Sequence, residues 1–185
     1  MILHIPHAST HIPEEARNSL LLNNEALNLE ILKMTDHYTD ELFATELIPG
    51  DTAVIAAVSR LVVDVERFED DEQEIMAKRG MGVIYTSTSD LTPLRAQPSP
   101  EQREELISRY FRPHHWRLER LVGDELVNNI KAFVLDCHSF PSRSLPYESG
   151  QNEDRPDICI GTDEFHSPPA LVDGLTSHFK SKGYE

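Results

Sequence analysis

Met1-Ile2-Leu3-His4-Ile5-Pro6-His7 opens the chain. Its apolar run is too short for a helix and is stopped by Pro6, so it reads as a strand that ends at His7. Two other runs have the same character: Ala53 to Val58, and Ala132-Phe133-Val134-Leu135-Asp136, read as a buried strand and followed by Cys137-His138-Ser139. Leu61 to Val65, after a kink at Ser59-Arg60, is expected as a further strand, as are Val83 to Thr86 and Asp157 to Gly161. The intervals carry helical signals. Leu20 to Lys33 and Asp36 to Leu47 are expected as helices, the second ended by Pro49-Gly50. Ser99-Pro100-Glu101-Gln102 is a capping box that opens a long helix. Pro113 should kink or interrupt that helix before Leu118, Leu121, Val122 and Leu126 resume its apolar stripe. A last helix runs from about Pro168 to Lys182, with Gly183 at its stop position. Strands alternating with helices predict an α/β layered sheet.

The 185 residues suit one domain, 1–185, with enough apolar residues for a sizeable core. Asp and Glu number 32 against 17 Lys and Arg, a formal net charge of −15. Such a surplus argues against nucleic acid or an anionic membrane as partner, since both select for basic residues. No apolar run approaches the ~20 residues of a membrane span, and the N-terminus lacks the basic and long apolar regions of a signal peptide. Cys137 and Cys159 both lie in strand-like apolar runs, so a disulfide scaffold is not expected. A reduced, cytoplasmic, acidic protein is the expectation. The five acids between Glu69 and Glu74 read as a solvated face.

Nine histidines are the compositional oddity. His7 and His138 each follow a strand directly, and ligands gather beyond the carboxyl ends of strands in α/β sheets. Neutral imidazole is a zinc ligand, and a catalytic zinc takes about three protein ligands and leaves one position open. Asp36, in Thr35-Asp36-His37-Tyr38-Thr39-Asp40, is the leading carboxylate for the third place. It competes with a plain role as helix cap. In Ser59-Arg60-Leu61-Val62-Val63-Asp64-Val65-Glu66-Arg67, an Asp inside an apolar run is costly unless it is paired or used. Arg60 and Arg67 suit a substrate carboxylate, and a structural Arg60–Asp64 or Asp64–Arg67 pair is an equal alternative.

Six segments, in order from Pro6 to Thr162, resemble the N-formylglutamate amidohydrolase family. They are Pro6-His7-Ala8-Ser9, Thr35-Asp36-His37-Tyr38-Thr39-Asp40-Glu41-Leu42, Ser59-Arg60 through Arg67, Tyr110-Phe111-Arg112-Pro113-His114-His115, Asp136-Cys137-His138-Ser139 and Gly161-Thr162. The resemblance implies a three-layer α/β/α fold with a central mixed sheet, like the zinc exopeptidases. It implies zinc held by His7, Asp36 and His138, although related carboxypeptidases and aspartoacylases take their carboxylate where Thr10 stands here. Arg60 would stabilise the oxyanion, Arg67 would hold a substrate carboxylate, and His115 and Ser139 would bind or orient the substrate. The implied reaction is hydrolysis of an N-acyl, formyl-like amino acid or similar small amide by metal-activated water. A carboxypeptidase-like or deacylating zinc hydrolase is the alternative, as is a metal- or ligand-binding relative without turnover. Two departures stand out. Glu66 replaces the family's Asn before the second Arg and would oppose an acidic substrate. No Glu stands in the context of the family's general base, so the domain is expected to lack its C-terminal strands.

Overall fold

The computed structural model describes residues 1–185 except 46, 149 and 151–154. Chain contacts divide it into two compact units, Met1–Pro141 with Leu145–Ser149, and Ser142–Ser144 with Gly150–Glu185.

In the first unit the opening run forms β1 (Ile2–Ile5), buried at every position. A strand buried on both faces belongs in the middle of a parallel sheet. That is its place: β2 (Thr52–Ile55) and β3 (Val134–Asp136) flank it, both parallel to it, in the order β2-β1-β3. Ile5 stands opposite Ile55, and His4 opposite Asp136. The expected mixed sheet is therefore corrected to a parallel one among the described residues. β3 is also not the buried strand expected. Among the described residues only β1 pairs with it, and Phe133 and Val134 remain 43% and 41% exposed.

Helices fill the connections. They are α1 (Glu14–Arg17), α2 (Asn24–Met34), α3 (Thr39–Ala44), α4 (Pro100–Leu106) and α5 (Arg112–Asn129). α2 starts later than the apolar pattern suggests, because Asn23 caps it by accepting from the Ala26 N–H. The α4 start follows the sequence closely: Ser99 Oγ accepts from the Gln102 N–H, and the Gln102 side chain accepts from the Ser99 N–H. Pro113 does not interrupt the long helix. A π turn over Ile107–Phe111 precedes it and keeps the chain helical. Such a widened turn absorbs the missing N–H and the ring of proline.

Leu61–Val65 and Val83–Thr86 are not strands. Local turns take their backbone bonds instead. Ser59 Oγ accepts from the Leu61 N–H, Asp64 Oδ1 from the Glu66 N–H, and the Ser59 carbonyl from the Val62 N–H. Short polar side chains closing turns in this way compete directly with a ladder. The β-branched residues still serve the core, since Val58, Val62, Val63, Val65 and Val83 pack in one cluster with Ile107 and Phe111. Gly80, at φ 74°, turns the chain where a Cβ would lie 2.2 Å from Ser87 Oγ.

The second unit holds α6 (Pro169–Ser181), close to the expected bounds, with Gly183 at φ 89° just beyond it. Asp157–Gly161 is not a strand. The Ile158 N–H donates instead to the Glu185 carbonyl at 3.1 Å. No helix among the described residues is long and apolar enough to cross a membrane.

Candidate metal centre and its carboxylates

The carboxyl ends of all three parallel strands converge on one place. β1 runs through Pro6 into His7, and β3 runs through Cys137 into His138. From β2 the chain passes into the Ser59–Arg67 turns. Asp36 arrives from the α2–α3 connection and is pinned beside His7 by its own N–H, which donates to the His7 carbonyl at 3.0 Å.

Asp36 does not cap α3. Tyr38 holds that position, at φ 66°, with no side-chain cap bond. The Asp36 carboxylate instead accepts from His138 Nδ1 at 2.7 Å and lies 3.7 Å from His7 Nδ1. The donor atoms of His7, Asp36 and His138 all fall within 4.8 Å of one another. His7 is 2% exposed, and its Nδ1 has no hydrogen-bond partner. A buried ring nitrogen left unpaired beside a carboxylate and a second imidazole fits a divalent cation, because each of the three supplies one donor that zinc accepts.

Behind these groups sits a fully buried network. His7 Nε2 donates to Asp64 Oδ1 at 2.8 Å. The other Asp64 oxygen accepts from Arg60 Nη2 at 2.9 Å and from the Tyr85 hydroxyl. Arg60 Nε in turn donates to Tyr85 Oη at 3.1 Å. Of the two readings of the Arg60–Arg67 segment, the structural Arg60–Asp64 pair is present, and Asp64 also takes the His7 ring. Arg67 Nε lies 3.6 Å from Asp64 Oδ2 and is buried without a hydrogen-bond partner.

The charges follow from these contacts. Burial opposes ionisation of Asp64, but Arg60 and His7 outweigh it and hold its carboxyl well below the usual range. Asp36 is likewise held low, against burial, by its bond to His138 and by the nearby His7 ring. His138 stands between Asp36 and Glu66, which overcome burial and raise it to about 10. His7 is raised, because Asp64 and Asp36 together outweigh burial and the Arg60 charge. Burial pushes the Tyr85 phenol up, so it remains a donor.

The remaining expected residues lie close by but spend their bonds on backbone. His115 Nε2 donates to the Val65 carbonyl at 2.8 Å, and its ring packs 4.2 Å from that of Phe111. Ser139 Oγ donates to the His37 carbonyl at 3.0 Å. Tyr85, Glu66 and Asp136 are among the participants that the sequence does not single out as site residues. Tyr85 sits in an apolar run and carries no local signal. Glu66 stands out only as a departure from the family motif, yet it accepts from His138 Nε2 at 2.8 Å. Asp136 was seen only as part of the strand-end motif. Its carboxylate accepts from His4 Nδ1, and His4 Nε2 lies 2.8 Å from His114 Nε2.

The N-formylglutamate amidohydrolase family profile matches residues 1–185. An N-formylglutamate deformylase of Pseudomonas putida is 28% identical over 165 residues, covering 88% of this chain and 58% of its own length. The crystal structure of an N-formylglutamate amidohydrolase from Ralstonia eutropha JMP134 superposes with a TM-score of 0.83 at 22% identity, covering 99% of this chain and 69% of that one. The chain therefore spans a little over half the length of the curated relative it matches. With the profile matched from end to end over the same segments that build the His7–Asp36–His138 cluster, the chain belongs to the N-formylglutamate amidohydrolase family.

Proposed function

We propose that this chain is a zinc-dependent amidohydrolase that removes the formyl or a similar small acyl group from an N-acylated amino acid. The observation that carries this reading is the buried, unpartnered His7 Nδ1 facing Asp36, with His138 alongside. His7, Asp36 and His138 would hold the cation. Bound there, zinc supplies Lewis acidity at the acyl carbonyl and a water of lowered pKa.

Two nitrogens of Arg60 are taken by Tyr85 and Asp64, while Nη1 lies 3.9 Å from Asp36 Oδ1. In this reading that end of the fork stabilises negative charge developing on the acyl oxygen. Arg67, its Nε without a partner, receives a substrate carboxylate. His115 and Ser139 serve the substrate by fixing the backbone next to Glu66 and Asp36. A three-layer, zinc-exopeptidase-like arrangement of one domain in a cytoplasmic protein belongs to the same proposal.

Glu66 favours a second substrate reading. Its carboxylate beside the cluster disfavours a second acidic group on the substrate, which points to N-formyl derivatives of neutral or basic amino acids. Formate release from N-formyl-glutamate, -methionine and -lysine, measured alongside bound metal in the purified protein, tests both. We expect zinc bound, formate released, and both abolished in His138→Ala. Protein free of zinc, or one whose formate release survives His138→Ala, overturns the first reading; N-formylglutamate as the best of the three substrates overturns the second.

A further inference from the structure

The two candidate ligand histidines are flanked alike, which assigns a job to Glu66. Each imidazole presents its Nδ1 edge to Asp36. His7 Nδ1 is 3.7 Å and His138 Nδ1 is 2.7 Å from the same oxygen, Oδ2. Each presents its Nε2 edge to a different carboxylate. His7 Nε2 donates to Asp64 Oδ1, and His138 Nε2 donates to Glu66 Oε1, both at 2.8 Å. The rings are close, with centroids 5.3 Å apart and planes inclined at 47°.

We propose that Glu66 orients His138 as Asp64 orients His7, so that the cation is held on the Nδ1 edges of both rings and Glu66 is a positioning residue rather than a ligand. This rests on the metal reading above. The physical basis is that a ligating imidazole must hold its proton on the remote nitrogen. A carboxylate there fixes the tautomer and the ring plane and makes the ligating nitrogen more basic.

Two observations favour Glu66 over its neighbours for this task. Asp136 is the other carboxylate near His138 Nε2, but it lies 3.9 Å away and is already engaged by His4 Nδ1. The peptide group that leads into Glu66 is also held at both its N–H and its carbonyl. Its N–H donates to Asp64 Oδ1, and the preceding carbonyl of Val65 accepts from His115 Nε2. The two orienting carboxylates are therefore mechanically linked, and no Lys or Arg ion pair competes for Glu66 among the described residues. Its second oxygen is 3.5 Å from His7 Nε2, behind the same edge.

Zinc titration against a chromophoric chelator, with long-range proton–nitrogen correlation spectra of the histidine rings in the zinc-loaded protein, tests the assignment. In the wild type we expect His7 and His138 each to be protonated at Nε2 and metal-bound at Nδ1. Glu66→Ala should weaken zinc binding about 10- to 100-fold. Glu66→Gln, whose amide oxygen still accepts from Nε2–H, should recover most of that loss. Metal on His138 Nε2, or Glu66→Ala binding zinc as tightly as a wild type that does bind it, overturns this inference alone. A folded wild type that binds no zinc brings down the metal reading and this inference together.

Discussion

Asp64 is the residue on which the centre turns. It is fully buried, accepts from His7, Arg60 and Tyr85, and closes the Glu66 turn. Removing one partner of a buried ion pair leaves the other charge uncompensated, typically at about 3–5 kcal/mol. Asp64→Ala should therefore lower the unfolding free energy read from urea curves by that order, while Tyr85→Phe, which removes both buried hydrogen bonds of the phenol, should cost about 1–3 kcal/mol. His114 supplies the pH prediction. Burial, with the neighbouring His4 and His115, lowers its pKa to about 3. A base whose folded pKa lies below its unfolded value takes up a proton on unfolding between the two. Stability is then fully present above about pH 6.5 and falls as pH drops toward 3, at up to ~1.4 kcal/mol per pH unit. Denaturation curves of metal-free protein between pH 7 and 4 should show this slope, and His114→Gln should flatten it.

At the level of elements, what matters is where each one ends. Parallel strands leave their carboxyl ends on one edge, and there β1 and β3 deliver His7 and His138. The turns after β2 deliver Arg60, Asp64 and Glu66 because Ser59 and Asp64 close them with their own side chains. The start of α4 was the most legible helix end. The Ser99 capping box needs only local geometry, and Ser99→Ala should cost about 1 kcal/mol in thermal or chemical unfolding without altering the His7–Asp36–His138 cluster. The helix across Pro113 was less legible, since a π turn depends on how Ile107 and Phe111 pack, and both are buried in the larger core cluster.

On the scale of the whole molecule, the surplus of acid has a local counterpart. Asp36, Asp64, Glu66 and Asp136 surround the two histidines, with Arg60 and Arg67 as the basic residues among them. A cation that binds this cluster only in the folded chain stabilises the fold. Zinc at about 100 times its dissociation constant should add about 2.7 kcal/mol. A rise in the melting temperature with added zinc, reversed by a chelator and absent in His7→Ala, checks this.

The sequence by itself determined the α/β class, the first strand, the α4 cap, the last helix and the order of motifs that marks the family. Those depend on periodicity, on capping chemistry and on residue identity, which are properties of neighbours along the chain. It also brought His7, Asp36 and His138 forward as a set, though Asp36 could equally have been a cap. Only the tertiary structure decided that question, because the choice rests on a contact between residues 36 and 138. It likewise decided that the Leu61–Val65 run is a buried turn rather than a strand, since β-branched residues serve either one once the surrounding core is dry. Above all it placed Glu66 and Tyr85 in the centre. Their partners lie 72 and 21 residues away along the chain, and no local pattern encodes a hydrogen bond across such a distance.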